Sequence, residues 1–131
     1  FSPDESVLYV NDSGAIQRPG SYDLARPHHI LAYDLVDGRR LTNQRLFAVL
    51  VPGIPDGLKV DEAGRVYSSC ASGVLVYAPD GELLGEICVP GVANFCFGGR
   101  QGSQLFMMAD TAIWVADLQA RGANILHTSP P

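Results

Sequence analysis

An internal repeat constrains the fold of this chain more than any other feature of its sequence. Each copy contains short segments rich in β-branched and aromatic residues, separated by turn residues. Tyr67 and Phe106 lie 39 positions apart, as do Val74 and Ile113. Repeats of this length that contain several short strands are typical of the four-stranded blades of a β-propeller.

The first copy is longer than the others because of an insertion over residues 14–29. Tyr9 and Tyr67 lie 58 positions apart, and removal of the insertion brings this spacing close to that of the later copies. The dipeptides Asp37-Gly38 and Asp80-Gly81 indicate hairpin turns, since glycine readily takes the positive φ that such turns demand. The sequence therefore predicts an all-β chain that supplies about three four-stranded blades, approximately 1–50, 51–90 and 91–131, in one partial propeller domain.

Residues 103–121 allow a helix as an alternative. They are the longest stretch without Gly or Pro, and residues 104–110 include good helix formers. The repeat instead predicts two strands that turn at Asp110-Thr111. We follow the repeat, because it places these strands in register with the earlier copies.

Three blades cannot close a ring, because propellers typically have about four to eight. Either the chain assembles with other copies, or it is part of a longer protein. The start at Phe1, with no Met and no signal-peptide pattern, favours the longer protein.

Composition excludes some classes of function. A net charge of -5 argues against nucleic-acid binding, because that function needs basic residues to pair with phosphates. No apolar run is long enough for a membrane helix. The three cysteines have no metal-binding spacing, and we expect buried, reduced thiols, with a bridge between Cys70 and Cys96 as the alternative. A cytoplasmic location is expected, and a periplasmic or secreted one stays open.

The sequence 55–57, Pro-Asp-Gly, precedes a predicted innermost strand over residues 58–60. The loop that enters such a strand lies at one mouth of the central channel, so Asp56 would direct a carboxylate toward the axis. A simple turn is the structural alternative, and the spacing alone favours it. The equivalent position in the third copy is Ala93, beside Asn94. A carboxylate with neighbouring amide oxygens suits a hard divalent cation such as calcium.

Three further residues are candidates for a substrate pocket, namely Asn94, Asp12 and His29. Asp12 follows a strand, where an Asx turn is the simpler explanation. His29 ends the insertion, where a solvated loop histidine is the simpler explanation.

The motifs at residues 1–13, 30–35, 37–38, 41–47, 53–64 and 94–99 together resemble those of one family. In this order they are similar to the gluconolactonase, senescence-marker-protein (regucalcin) and luciferin-regenerating-enzyme family, with its Pro-Asp-Gly signature and its Phe-Gly-Gly blade start. The resemblance covers nearly the whole chain. It implies a six-bladed propeller, of which this chain is roughly the C-terminal half and the remaining N-terminal half is the partner.

The same resemblance implies one divalent cation at the channel mouth, usually calcium and sometimes zinc, manganese or magnesium. The family's ligands include a Glu near the N-terminus, an Asn in an Asn-Gly motif and the Asp of Pro-Asp-Gly. Only the last maps onto this chain, at Asp56, and the resemblance favours a ligand there over a simple turn. The Asn would fall just before Phe1, so the isolated chain is expected to be inactive.

The activity that the resemblance implies for the complete protein is metal-dependent hydrolysis of a sugar lactone. The metal would polarise the carbonyl, and Asp56 would bind the metal and orient or deprotonate the attacking water. An organophosphate-type phosphoesterase on the same fold is one alternative. A non-catalytic calcium-binding propeller scaffold is the other, since fold alone does not decide function.

Overall fold

Ten β-strands form three antiparallel sheets in the computed structural model, which describes residues 1–123. The first sheet contains β1 (Val7–Asp12), β2 (His29–Val36) and β3 (Arg40–Val49). The middle sheet contains β4 (Leu58–Val60), β5 (Val66–Ser69), β6 (Val74–Tyr77) and β7 (Leu83–Ile87). The third sheet contains β8 (Val92–Gly98), β9 (Gln104–Ala109) and β10 (Ile113–Asp117).

The prediction of an all-β chain is confirmed, and the helix considered over residues 104–110 is instead β9. Neighbouring strands follow one another in sequence within every sheet. The middle sheet has the predicted four strands, whereas the other two show three within the described part of the chain. The repeat relates these strands to the middle sheet, because β1 corresponds to β5, and β8, β9 and β10 of the described residues correspond to β4, β5 and β6. No helix that could span a membrane occurs in residues 1–123.

The turn between β2 and β3 has the predicted hairpin geometry. Asp37 and Gly38 have φ values of 55° and 64°, and positive φ at both central residues matches the right-handed twist of the strands. Gly81 also has a positive φ, of 93°. A Cβ atom at Gly81 would overlap the carbonyl oxygen of Phe47, so the hairpin of the middle sheet packs directly against β3.

Two hydrophobic clusters hold the three sheets together. The first lies between the first and middle sheets and includes Ile30, Leu50 and Val66. The second lies between the middle and third sheets and includes Tyr67 and Phe95. Because consecutive residues of a strand face opposite sides, β5 contributes Val66 to one cluster and Tyr67 to the other. The middle strands of this sheet, β5 and β6, are therefore buried on both faces, as predicted for propeller blades.

Strand β1 differs from that prediction. Its residues are half-buried or exposed, although the sequence 7–10 is continuously apolar. Only one face of the first sheet packs against another sheet in the described chain, so the apolar run is covered on one side.

The expectation of three buried thiols is wrong for two of the cysteines. Cys70 is buried in the first cluster, whereas Cys88 and Cys96 are exposed, and all three are free. Cys96 follows the buried Phe95 on β8, and strand alternation directs its side chain to the opposite face. Cys88 follows the exposed outer strand β7.

A buried carboxylate organises the turn between β4 and β5. Asp61 is fully buried and accepts hydrogen bonds from the backbone N–H groups of Ala63 and Arg65, from Arg65 Nε at 2.6 Å and from the Tyr67 hydroxyl at 3.1 Å. Burial and the adjacent Asp61 charge raise the pKa of Tyr67 to about 12. The carboxylate thus connects a tight turn to the second hydrophobic cluster.

Replacing Asp61 by Asn is expected to lower the free energy of unfolding by about 1–3 kcal/mol, because an amide has one acceptor oxygen and would leave buried donors unpaired. Urea denaturation of the protein measures the change. Asp34→Asn is the matched control, since Asp34 pairs with Arg45 at the surface, where water weakens the interaction. Equal losses from the two substitutions would contradict the role assigned to Asp61.

Candidate functional site

The loop before β4 places Asp56 where all three sheets meet. Its backbone N–H donates to Ser69 O at 3.2 Å, and the N–H of Gly57 donates to Ala93 O at 3.0 Å and to Ser69 Oγ at 2.7 Å. Pro55 and Gly57 are buried, whereas the side chain between them is exposed. The loop backbone is therefore anchored to the end of β5 and the start of β8, and the Asp56 carboxylate is left facing outward.

The Pro-Asp-Gly sequence does not form the turn that was its structural alternative. Residues 54–57 adopt no turn and lead directly into β4. The Asp56 carboxylate accepts no hydrogen bond and forms no ion pair with any other residue of the described range 1–123. The described contacts therefore give the Asp56 side chain no structural role, and its carboxylate is free to bind a ligand.

The end of β1 binds the same loop from the first sheet. Asn11 Nδ2 donates to the backbone oxygen of Asp56 at 2.6 Å, and Ser13 Oγ donates to the backbone oxygen of Pro55 at 2.5 Å. Asn11 Oδ1 is buried and has no hydrogen-bond partner among residues 1–123. A buried acceptor without a donor costs about 1–3 kcal/mol, so this oxygen is suited to receive a donor or a cation.

Asp12 and His29 lie side by side on β1 and β2. They are register partners, with His29 Nε2 3.7 Å from Asp12 Oδ2. Asp12 Oδ1 also accepts the N–H of Gly14 at 3.1 Å, which is the Asx turn considered from the sequence. Neither residue lines the cavity next to Asp56.

Asn94 lies against the loop without facing that cavity. Its Oδ1 accepts the N–H of Phe95 at 2.8 Å, and its Cα is so close to Gly57 that a Cβ on Gly57 would lie 2.9 Å away. Asn94 therefore supports the backbone next to Asp56, and its neighbour Ala93 reaches the cavity instead.

A cavity of about 310 Å³ adjoins Asp56. The insertion of the first sheet contributes Ile16 and Tyr22 to its wall, and the turn after β9 contributes Asp110. Sequence reasoning missed these three residues. The repeat could have indicated one of them, since Asp110 lies 39 positions after Ala71, which lines the same cavity.

The donors near Asp56 fit a hard divalent cation in kind. A carboxylate and an unpaired amide oxygen, from Asp56 and Asn11, are ligand types that calcium prefers. Their number is incomplete, because calcium takes about six to eight oxygens. Within residues 1–123, no group of three or more His, Cys, Asp or Glu side chains is placed to hold a metal ion. A complete site therefore needs oxygens beyond these two side chains.

Comparison with known proteins gives one family and a consistent set of relatives. The SMP-30/Gluconolactonase/LRE-like region matches residues 1–111. A gluconolactonase of Zymomonas mobilis is 36% identical in a 120-residue alignment that covers 83% of this chain and 31% of that protein. A lactonohydrolase of Aspergillus oryzae is 31% identical in a 121-residue alignment that covers 81% of this chain and 27% of that protein. The chain thus spans less than a third of the length of these relatives.

Solved structures show the same likeness. A putative gluconolactonase superposes with a TM-score of 0.80 and 30% identity, over 95% of this chain and 39% of that one. A gluconolactonase from Xanthomonas campestris gives a TM-score of 0.69 and 37% identity, over 93% of this chain and 36% of that one. The calcium-binding protein regucalcin from Agrobacterium tumefaciens gives a TM-score of 0.69 and 18% identity, over 94% of this chain and 45% of that one. At this level of identity the likeness shows a shared fold alone.

Proposed function

The chain belongs to the SMP-30/gluconolactonase/LRE-like family, and on this basis we propose that the complete protein hydrolyses a sugar lactone at a divalent-cation site that contains Asp56. The observation that carries the proposal is the exposed Asp56 carboxylate, which has no partner in the described range and adjoins a cavity. Relatives named gluconolactonase and lactonohydrolase support a lactone as the substrate. Calcium is the proposed cation, because the donors are oxygens.

A lactone is a cyclic ester, and its hydrolysis adds water to the carbonyl carbon and opens the ring to a hydroxy acid. Negative charge develops on the carbonyl oxygen in the transition state, and a bound dication supplies Lewis-acid stabilisation of that charge. Asp56 would hold the cation and accept a hydrogen bond from the attacking water, which orients the water toward the carbonyl carbon.

The remaining residues near the loop would act by positioning. Asn11 and Ser13 each donate a hydrogen bond to the backbone beside the Asp56 side chain, and Ser69 accepts one from Gly57. These bonds limit movement of the loop during the reaction. A displacement of a catalytic group by about 1 Å can cost roughly a hundredfold in rate, so this anchoring favours catalysis.

We also propose that the three sheets are blades of a six-bladed propeller and that the rest of the protein completes the ring. Ile113, Trp114 and Val115 are consecutive apolar residues on β10 with exposed fractions of 70%, 53% and 50%. Groups of exposed large apolar side chains mark interaction sites. The solved relatives extend well beyond the part that this chain matches, which supports further blades as the cover.

The test is hydrolysis of glucono-δ-lactone by the complete protein, measured by acid release above the spontaneous rate. We expect catalysis that a calcium chelator lowers at least about tenfold and that added Ca²⁺ restores, because the cation stabilises the transition-state charge. Catalysis that is unchanged by chelation would contradict the metal site. Activity on a phosphotriester alone would indicate the phosphoesterase, and no activity on either substrate would indicate a binding scaffold.

A further inference from the structure

The cavity beside Asp56 has an acidic residue at a second position. Asp110 follows β9 and lines the cavity together with Asp56. Its carboxylate lies so close to Gly91 that a Cβ there would be 2.9 Å from Asp110 Oδ2, and Gly91 has a φ of 79°. A glycine at this position leaves room for the carboxylate against the backbone. Asp110 makes no side-chain hydrogen bond or ion pair within the described chain, so both of its oxygens are available to a ligand.

The insertion contributes an apolar and an aromatic side chain to the lining of the cavity. Ile16 and Tyr22 come from the insertion, and the Tyr22 hydroxyl lies 3.7 Å from the position of a Cβ on Gly53. The insertion therefore reaches over the loop that carries Asp56. A flat aromatic side chain can pack against the C–H face of a small ring, while its hydroxyl remains able to form hydrogen bonds.

The charges of the cavity limit the substrates that it can accept. Two carboxylates line it, and no Lys or Arg does so among residues 1–123. Vicinal hydroxyl groups can donate hydrogen bonds to a carboxylate, and hydrogen bonds to an ionised acceptor are about twice as strong as neutral ones. A phosphate group would instead meet like charge without a basic partner, which disfavours its binding.

We propose that Asp110 and Tyr22 determine substrate specificity, and that they select a neutral, polyhydroxylated lactone over alkyl lactones and over phosphorylated sugar lactones. Asp110 accepts hydrogen bonds from ring hydroxyls, and Tyr22 packs on the ring. This inference rests on the proposed lactonase function. A cavity of about 310 Å³ lies at the lower end of the usual range for small-molecule sites, which suits a single sugar ring.

The test compares lactones with the complete protein and its Asp110→Asn variant. We expect kcat/KM for glucono-δ-lactone to fall about tenfold or more, mainly through KM, because hydrogen bonds to a charged acceptor are weakened. Hydrolysis of δ-valerolactone, which has no hydroxyl groups, should change less than about twofold, since Asp110 has nothing to bind in it. Asp37→Asn in the β2–β3 hairpin is the matched control and should change neither substrate.

Tyr22→Ala supplies a second variant that leaves the charge of the cavity unchanged. It should raise KM for glucono-δ-lactone and leave the preference against 6-phosphogluconolactone in place. The specificity role of Asp110 would be overturned if Asp110→Asn lowered kcat/KM equally for glucono-δ-lactone and δ-valerolactone, or lowered it for neither. An unmodified protein that hydrolyses no lactone would overturn the proposed function itself, and this outcome is recognised without any variant.

Discussion

Asn in place of Asp56 is expected to lower kcat/KM of the complete protein for glucono-δ-lactone by roughly 10²–10⁴-fold, the contribution typical of a positioned acid–base group. The amide keeps the size of the side chain but loses the charge that would bind the cation and the acceptor that would orient water. The backbone contacts of Asp56 to Ser69 and Asn11 do not involve its carboxylate, so the loop should keep its conformation.

A readout other than activity separates metal binding from catalysis in this variant. A ligand that binds only the folded state at a hundred times its Kd adds about 2.7 kcal/mol to stability. Ca²⁺ should therefore raise the Tm of the unmodified protein and have little effect on Asp56→Asn. Asp37→Asn, a surface substitution of the same kind, should keep the full Ca²⁺ response. An Asp56→Asn protein with normal activity and a normal response would refute the site.

Gly57→Ala is expected to destabilise the protein by about 1–3 kcal/mol, since an added methyl group in a close-packed position forces its neighbours apart. The new Cβ would lie 2.7 Å from Asn94 Oδ1 and 2.9 Å from Asn94 Cα. The second contact is with backbone, so rotation of a side chain cannot relieve it. The loop and β8 must separate, and lactonase activity should fall about a hundredfold as Asp56 moves out of position.

The control for this substitution is Gly85→Ala on β7. A Cβ at Gly85 meets nothing within 4 Å, so stability and activity should both stay close to those of the unmodified protein. Urea denaturation and the lactone assay measure the two effects together. If Gly57→Ala were as stable and active as Gly85→Ala, the close packing of the loop against Asn94 would be wrong.

The repeat in the sequence was sufficient to predict the strands, because residues such as Tyr67 and Phe106 occupy equivalent positions on β5 and β9. The turn at Asp37-Gly38 was predictable for a local reason, namely the preference of glycine for positive φ. These features depend on residues close together in the chain. The exposed position of Cys96 depends on which face of β8 is covered, and that is decided by packing between sheets.

One short motif was the basis for predicting the candidate site. Pro-Asp-Gly identified Asp56, although its local sequence also suggested a turn that does not form. The contact from Asn11 joins residues 45 positions apart, and the cavity brings Tyr22 and Asp110 together from different sheets. Such proximity follows from the tertiary arrangement of the sheets. The repeat spacing relates Asp110 to Ala71, but it does not indicate Tyr22 or the contact from Asn11.

The middle sheet contributes side chains to both hydrophobic clusters. The protein therefore cannot be cut between two sheets without exposing part of a cluster. A fragment cut between β3 and β4 would lose the residues that cover Ile30 and Leu50, and one cut between β7 and β8 would uncover Tyr67 and Val74. Neither outer sheet retains an interior of its own. Chimeras and split variants of this protein should therefore exchange sheets in adjoining pairs, with the shared interface transferred intact.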